Sequence, residues 1–461
     1  MQRGRYTSSL FLFRRDLRLE DNTGLIEALQ SSEEVIPCFI LDPRQLKQNS
    51  YFSSNAFQFM VNSLRELDSS LRQRGARLHL FKGVAEEVVA SILRREGVEA
   101  VFLNRDYTPF SKLRDSGIER EALKLNAHPL SYHDYLLIDP EVVLDSKGRP
   151  FKVFSHFYNR ASREGVRRPS YDLPGTMKGG ELDGEMGWGE ILESVNPKAV
   201  VKGGRQEGLT LLSRLRELRD YGEARDFPHL GRTSMLSAHL KFGTVSVREV
   251  YWNSPGEEFR RQLYWRDFFT YIAYHFPHVF GQSFDPRYDL VRWENDQAKF
   301  RAWTQGRTGF PIVDAGMREL NETGYMHNRV RLIAASFLVK DLHVDWRWGE
   351  RYFANRLTDY DPSVNNGNWQ WVASTGLDPR GFRAFNPWLQ QRKFDSQCLY
   401  IKKWVKELEG YEVEVIHNLY RLRPPDLKDY PPPMVNHWEE VKRSAEEYGR
   451  ARQAYGSNSP S

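Results

Sequence analysis

From residue 8 to about 130, short apolar runs alternate with stretches of helical spacing. Ser9-Leu10-Phe11-Leu12-Phe13 is the first run and ends in Arg14-Arg15-Asp16-Leu17-Arg18. Val35–Leu41, Arg77–Phe81 and Glu99–Leu103 are the next three. Asn22–Gln30 has helical composition, with Asp21 or Asn22 as its cap. Phe57, Met60, Leu64, Leu67 and Leu71 keep three- and four-residue spacing, and Gly75 closes that helix. Val84–Glu96 reads as a further helix. This alternation predicts a doubly wound parallel sheet covered on both faces, with ligands beyond the C-terminal strand ends. Two of those ends are polar, Arg14-Arg15-Asp16 and Asn104-Arg105-Asp106, and neither carries a Gly-rich phosphate fingerprint.

The pattern then changes. Residues 131–205 are broken by Pro140, Pro150, Pro169, Pro174 and Pro197 and by two Gly pairs, which reads as a long interdomain linker. From about 206 the spacing is helical, as in Leu209–Leu218, Glu257–Phe276 and His327–Leu342. A proline-rich stretch follows Pro424, then one helix over about 437–455 and a polar end. The expected organisation is an α/β domain over 1–130, a linker over 131–205 and an all-α domain over 206–461.

Composition narrows the class. With 461 residues the chain exceeds one ordinary core. It is 40% hydrophobic and 28% charged, has no apolar run of membrane length, and begins without a signal-peptide pattern. Cys38 and Cys398 are too few and too distant for a disulfide framework, which points to a reducing cytoplasm. The net charge of +5 permits a basic patch for nucleic acid without demanding one.

The densest chemistry lies between Asp359 and Gly376. Two carboxylates, several amides, Trp369 and Trp371 fall together there, a set suited to an aromatic, polar ligand. On a strand the two Trp would share a face; on a helix they would diverge by about 200°. The same residues also read as core aromatics and turn-forming Asn. Thr233-Ser234-Met235-Leu236-Ser237 offers hydroxyls and amides at a helix start, which suits an anion but is equally an ordinary cap.

Taken together, the motifs resemble the photolyase/cryptochrome family, most closely its microbial dimer photolyases. The resemblance rests on Phe13-Arg14-Arg15-Asp16-Leu17-Arg18 and the 233–237 segment. It rests further on Trp265-Arg266-Asp267-Phe268, the run Thr308–Met317, Met326-His327-Asn328-Arg329-Val330-Arg331 and the 359–376 stretch. It implies FAD in an all-α domain, and light-driven electron transfer to a flipped-out pyrimidine dimer in damaged DNA. It implies phosphate-side contacts from Tyr221, Thr233, Ser234, Met235, Leu236 and Ser237. It places Trp265, Arg266, Asn328, the Arg331–Asp359 pair and Asp361 around the cofactor. Asn365 falls opposite the flavin N5, where plant cryptochromes carry an aspartate; a neutral amide favours a reduced anion and hence repair. Trp369, Trp346 and Trp293, spaced by 23 and 53 residues, match the family's electron chain. Gln262, Trp265, Asn328, Leu332 and Trp371 match lesion contacts. Arg225, Arg329, Arg383, Arg392 and Lys393 match contacts to the DNA backbone, which position without reading sequence. The implied protein is a cytoplasmic monomer that uses no metal and binds no membrane.

Two positions depart from the dimer-photolyase pattern. Gln262 stands where a glutamate is usual, and it cannot transfer a proton as an acid can. Leu332 replaces a common methionine with little change in volume. Asn328 and Leu332 fill the positions where (6-4) photolyases need histidines. Phe110-Ser111 replaces the Asn-Glu pair of folate-binding members, so a deazaflavin or a second flavin is a better antenna than folate, and the absence of any antenna stays open. The remaining alternative is a cryptochrome-like light sensor, against which the short tail weighs. The electron-chain reading predicts that Trp369→Phe abolishes flavin photoreduction while pre-reduced protein still repairs. Unchanged photoreduction rates in flash photolysis would remove Trp369 from the chain.

Overall fold

The computed structural model describes residues 6–46, 49–191, 194–422 and 424–458. Five strands form one parallel sheet in the order β3-β2-β1-β4-β5. They are β1 (Tyr6–Phe13), β2 (Ser32–Leu41), β3 (His79–Lys82), β4 (Ala100–Asn104) and β5 (His128–Tyr132). A two-residue β6 (Thr176–Met177) adds to β2. Side-chain alternation along a strand sends neighbours to opposite faces. Leu10 and Leu12 therefore join Ile36, Cys38 and Ile40 against helices α3 (Ala85–Glu96) and α4 (Pro109–Lys124). Phe11 and Phe13, equally buried, face the other way.

The helix after β1, α1 (Thr23–Ser31), is capped by Asn22, whose Oδ1 accepts from Leu25 N at 3.2 Å. Asp21, the other cap candidate, takes a left-handed φ of 51° and turns inward instead. The helix α2 (Ser54–Arg72) carries the predicted Phe57–Leu71 stripe, and Gly75 leaves the turn behind it with φ of 76°.

Chain order reverses between β1 and β4, the place where doubly wound sheets open a crevice. Here that crevice is nearly closed, at about 10 Å³, by residues of both predicted polar ends. Asn104 Nδ2 donates to Asp16 Oδ2 at 2.6 Å and to Asn22 Oδ1 at 2.7 Å. Beside them lies a neutral quartet of buried charges. Arg18 Nη2 donates to Asp134 Oδ2 at 2.6 Å, Arg248 Nη2 to Asp134 Oδ1 at 2.6 Å, and Arg248 Nε to Asp21 Oδ2 at 2.8 Å. Burial pushes the Asp134 carboxyl up, but the Arg18 and Arg248 guanidiniums outweigh it and hold it below the ordinary carboxylate range.

Cα packing divides the chain into two compact units, and not at the boundaries expected from sequence. Residues 1–196, 201–219 and 234–274 form the first unit; 197–200, 220–233 and 275–461 form the second. The expected linker is part of the first unit. It supplies helix α5 (Phe154–Ala161) and strand β6. The helix expected over Leu209–Leu218 stops at Ser213 and continues as a 3₁₀ turn over Arg214–Glu217.

The second unit is helical. Its core joins the helices Pro311–Thr323, Asn328–Lys340, Trp346–Arg356, Pro362–Ala373 and Pro387–Phe394. No described helix is long and apolar enough to cross a membrane.

Removing one member of the quartet strands an unpaired charge in the interior. Arg248→Met should lower unfolding free energy by about 3–5 kcal/mol in urea titration. A loss under about 1 kcal/mol would mean that water reaches Asp21 and Asp134.

Candidate functional site

The Asp359–Gly376 stretch is a helix for most of its length, and the reason is local. Asp361 caps it, accepting from Val364 N at 3.0 Å, and Pro362 sits at the first helical position. Trp369 and Trp371 therefore diverge. Trp369 is 2% exposed in the core, and Trp371 is half-buried beneath the Arg383 guanidinium, 4.5 Å from its ring centroid.

Arg331, on the Asn328–Lys340 helix, reaches Asp359 with both terminal nitrogens. Nη1 donates to Oδ1 at 3.2 Å and Nη2 to Oδ2 at 3.0 Å. Its Nε donates to Met326 O at 2.7 Å, so all three guanidinium nitrogens are engaged and the plane is fixed. Burial would lower the Arg331 pKa, but Asp359 more than restores it and the net direction is up. Tyr325 beside it hydrogen-bonds Thr233, and burial pushes its phenol up to about 12.

Asn365 lies half-buried one turn into the helix. Its Nδ2 donates to Glu350 O at 3.1 Å, which fixes the orientation of the amide. The amide oxygen accepts from no described residue. The next turn carries a buried polar network. Asn366 Nδ2 donates to Val279 O at 2.9 Å and to Glu350 Oε1 at 3.2 Å, and Gln370 Nε2 donates to Val279 O at 3.1 Å. Burial pushes the Glu350 carboxyl up to about 7, against the pull of Asn366, Arg347 and Arg351. Glu350 was not among the candidates from sequence. A signal existed, since Trp346, Gly349, Glu350 and Phe353 form one apolar helical stripe and only Glu350 is out of character.

Trp346 and Trp369 belong to one buried core, and Trp293 packs against it. Gly349 makes room for Trp369, whose indole would lie 2.2 Å from any Cβ at that position. Trp369 also meets Phe353 at 5.0 Å and Trp303 at 6.4 Å between ring centroids, and Trp293 meets Tyr448 edge-on at 6.2 Å.

The other candidates divide between the units. In the second, Tyr221 opens a short helix with Arg225 over its ring at 5.5 Å, and Asn328 is exposed at its helix start. Leu332 packs partly buried on the core. Arg329 pairs with Asp226 at 2.6 Å, Arg383 pairs with Asp378, and Arg392 Nη2 bonds Asn418 at 2.9 Å and Glu414 at 3.3 Å. Lys393 lies over Phe394 at 5.1 Å. A DNA phosphate would share most of these cations with a carboxylate already in place.

In the first unit, Ser234 Oγ accepts from Leu236 N at 3.4 Å and Met235 takes a left-handed φ of 55°. Leu236 is buried, and Ser237 opens the helix Ser237–Phe242. Gln262 and Trp265 lie on the helix Glu257–His275, with Gln262 Nε2 donating to Glu258 O at 3.3 Å. Arg266 is held inward by Tyr135 O at 3.1 Å and Asp267 Oδ1 at 3.1 Å.

Residues 9–173 match the profile of DNA photolyase, and residues 259–450 match the FAD binding domain of DNA photolyase. The deoxyribodipyrimidine photo-lyase of Synechococcus sp. is 35% identical over 457 residues, covering 93% of this chain and 93% of that one. The chain belongs to the photolyase/cryptochrome family. Among solved structures, the archaeal photolyase of Sulfolobus tokodaii, described with two FAD molecules, is 48% identical with a TM-score of 0.88. The match covers 96% of this chain and 100% of that one. The cryptochrome of Synechocystis sp. is 28% identical with a TM-score of 0.89, covering 97% and 100%. The α/β unit and the helical FAD-binding region expected from the motifs are thus those of the family.

Glu350 generates a pH prediction. Its folded pKa lies above the ordinary 4.5, so folding takes up a proton, and this contribution is lost as pH rises through about 7. Glu350→Gln should therefore gain on wild type between pH 4.5 and 8, by up to about 3 kcal/mol. Parallel pH profiles of Tm for the two proteins would place the Glu350 carboxyl in water.

Proposed function

We propose that this protein is a light-driven DNA repair enzyme, a deoxyribodipyrimidine photo-lyase that splits cyclobutane pyrimidine dimers using FAD. The observation that carries the reading is Asn365. Its amide is oriented by the Glu350 carbonyl, leaving a neutral acceptor oxygen free. Such a group can accept from a ring N–H and has no acid proton to give, which suits a flavin kept as a reduced anion. The donor set fits the cofactor elsewhere too, since the Arg331–Asp359 fork offers a planar, fixed edge to a planar heterocycle. Bound and reduced, FAD supplies the photoexcited electron that opens the cyclobutane ring and is then returned.

This chain's residues do the rest. Arg331 and Asp359 orient the ring system, and Asn365 withholds a proton. Trp369, Trp346 and Trp293 relay electrons inward to restore the reduced state, a role supported by the burial of Trp369 and Trp346 in one core with the partly buried Trp293 packed against it. Trp265 offers a part-exposed indole to a flipped base, and Gln262 offers an amide N–H. We read the enzyme as a cytoplasmic monomer acting on damaged DNA; its two cysteines are free and buried, as a reducing compartment would have them.

A second flavin is the favoured antenna. The 48% identical Sulfolobus tokodaii photolyase carries two FAD molecules, and the first unit here has a cavity of about 470 Å³ bordered by Tyr107, Lys112 and Tyr274. The likeness to the Synechocystis cryptochrome supports one second reading, a light sensor on the same scaffold.

The deciding experiment illuminates reduced protein with oligonucleotides carrying either a cyclobutane dimer or a (6-4) lesion. Repair of the dimer alone is expected. Repair of neither, with FAD bound and photoreducible, would favour the sensor and implicate Gln262.

A further inference from the structure

Trp265 does not stand alone. Phe154, from α5, lies flat against it with ring centroids 3.6 Å apart and planes 7° from parallel. Tyr158 continues the stack on Phe154 at 5.7 Å and 22°. The edge of Phe268 meets both partners, at 5.7 Å from Phe154 and 5.8 Å from Trp265. The Arg261 guanidinium lies 5.4 Å from the Phe154 centroid and 5.1 Å from that of Tyr158. A face-to-face sandwich is the least favoured arrangement of two rings, because their electron-rich faces repel. Here packing imposes it, and the nearby cation offsets the repulsion. Phe154, 6% exposed, is the buried middle ring of the column, and Trp265 at one end is only half-buried.

We propose that Phe154 is a positioning residue for lesion recognition. It holds the Trp265 indole flat, so that a flipped pyrimidine adds as the next ring of the Tyr158–Phe154–Trp265 column. The inference rests on the reading above that Trp265 faces the lesion. Each ring stacked on a base is worth roughly a five- to hundredfold gain in affinity, and only if the platform is already ordered. Undamaged DNA, held through its phosphates, gains nothing from the column.

The test is a double-mutant cycle on the FAD-loaded full chain. Affinities are read in the dark by fluorescence anisotropy, for a dimer-containing oligonucleotide and its undamaged counterpart. Phe154→Leu should weaken dimer binding about tenfold and leave undamaged DNA unchanged. Phe154→Tyr should retain wild-type affinity, and Phe154→Leu in a Trp265→Ala background should cost less than twofold. Phe154→Met gives the same reading if the Leu variant fails to melt cooperatively. Full dimer affinity in Phe154→Leu, with a loss in Trp265→Ala, would overturn the proposal and leave the functional reading standing. No loss in Trp265→Ala would remove Trp265 from the lesion site and the proposal with it. Equal losses on both oligonucleotides, or additive losses in the cycle, would reduce Phe154 to a structural role and overturn it as well.

Discussion

Two guanidiniums and two carboxylates, Arg18, Arg248, Asp21 and Asp134, each no more than 3% exposed, close the C-terminal edge of the sheet. Charges taken from water at that depth must be paired or the fold cannot hold them. The pairing joins distant stretches of chain: the segment after β1, the one after β5, and the start of the helix Val247–Trp252, whose capping Ser246 also donates its hydroxyl to Asp21. It explains why residues 234–274 cluster with the α/β sheet rather than with the later helices. It sits beside the crevice where sheets of this topology usually take a ligand, and Asp134 borders both.

The helical unit meets the same constraint with a different result. Its core is apolar and Trp-rich, yet it encloses Glu350, Asn366 and Gln370, bonded to one another or to the Val279 carbonyl. That network locks the 362–373 helix against the 346–356 helix. The lock sets Asn365 with its oxygen free and Trp369 seated over Gly349. The Arg331–Asp359 fork is held still by three guanidinium hydrogen bonds of its own.

Some of this was legible in the chain. The alternation of apolar runs and helical stripes identified the parallel sheet because each pattern has its own period. The long motifs identified the family. The i, i+2 spacing of Trp369 and Trp371 was compatible with either element, and only the fold showed Asp361 capping a helix there. Gln262 and Asn365 stood out only against the family's motifs.

Other features depended on which segments meet. Proline and glycine made residues 131–205 read as a linker, because local breaks in periodicity cannot reveal packing. The fold instead uses that stretch for α5, whose Phe154 finds Trp265 more than a hundred residues away. The burial of Glu350, and with it a carboxyl pushed up to about 7, likewise follows from its neighbours rather than its residue type. The sequence by itself determined the periodicities, the caps and the chemical inventory, since these are local properties. Only the tertiary structure decided which charges pair, which rings stack and where the units divide, because those energies depend on distance and dielectric between residues remote in the chain.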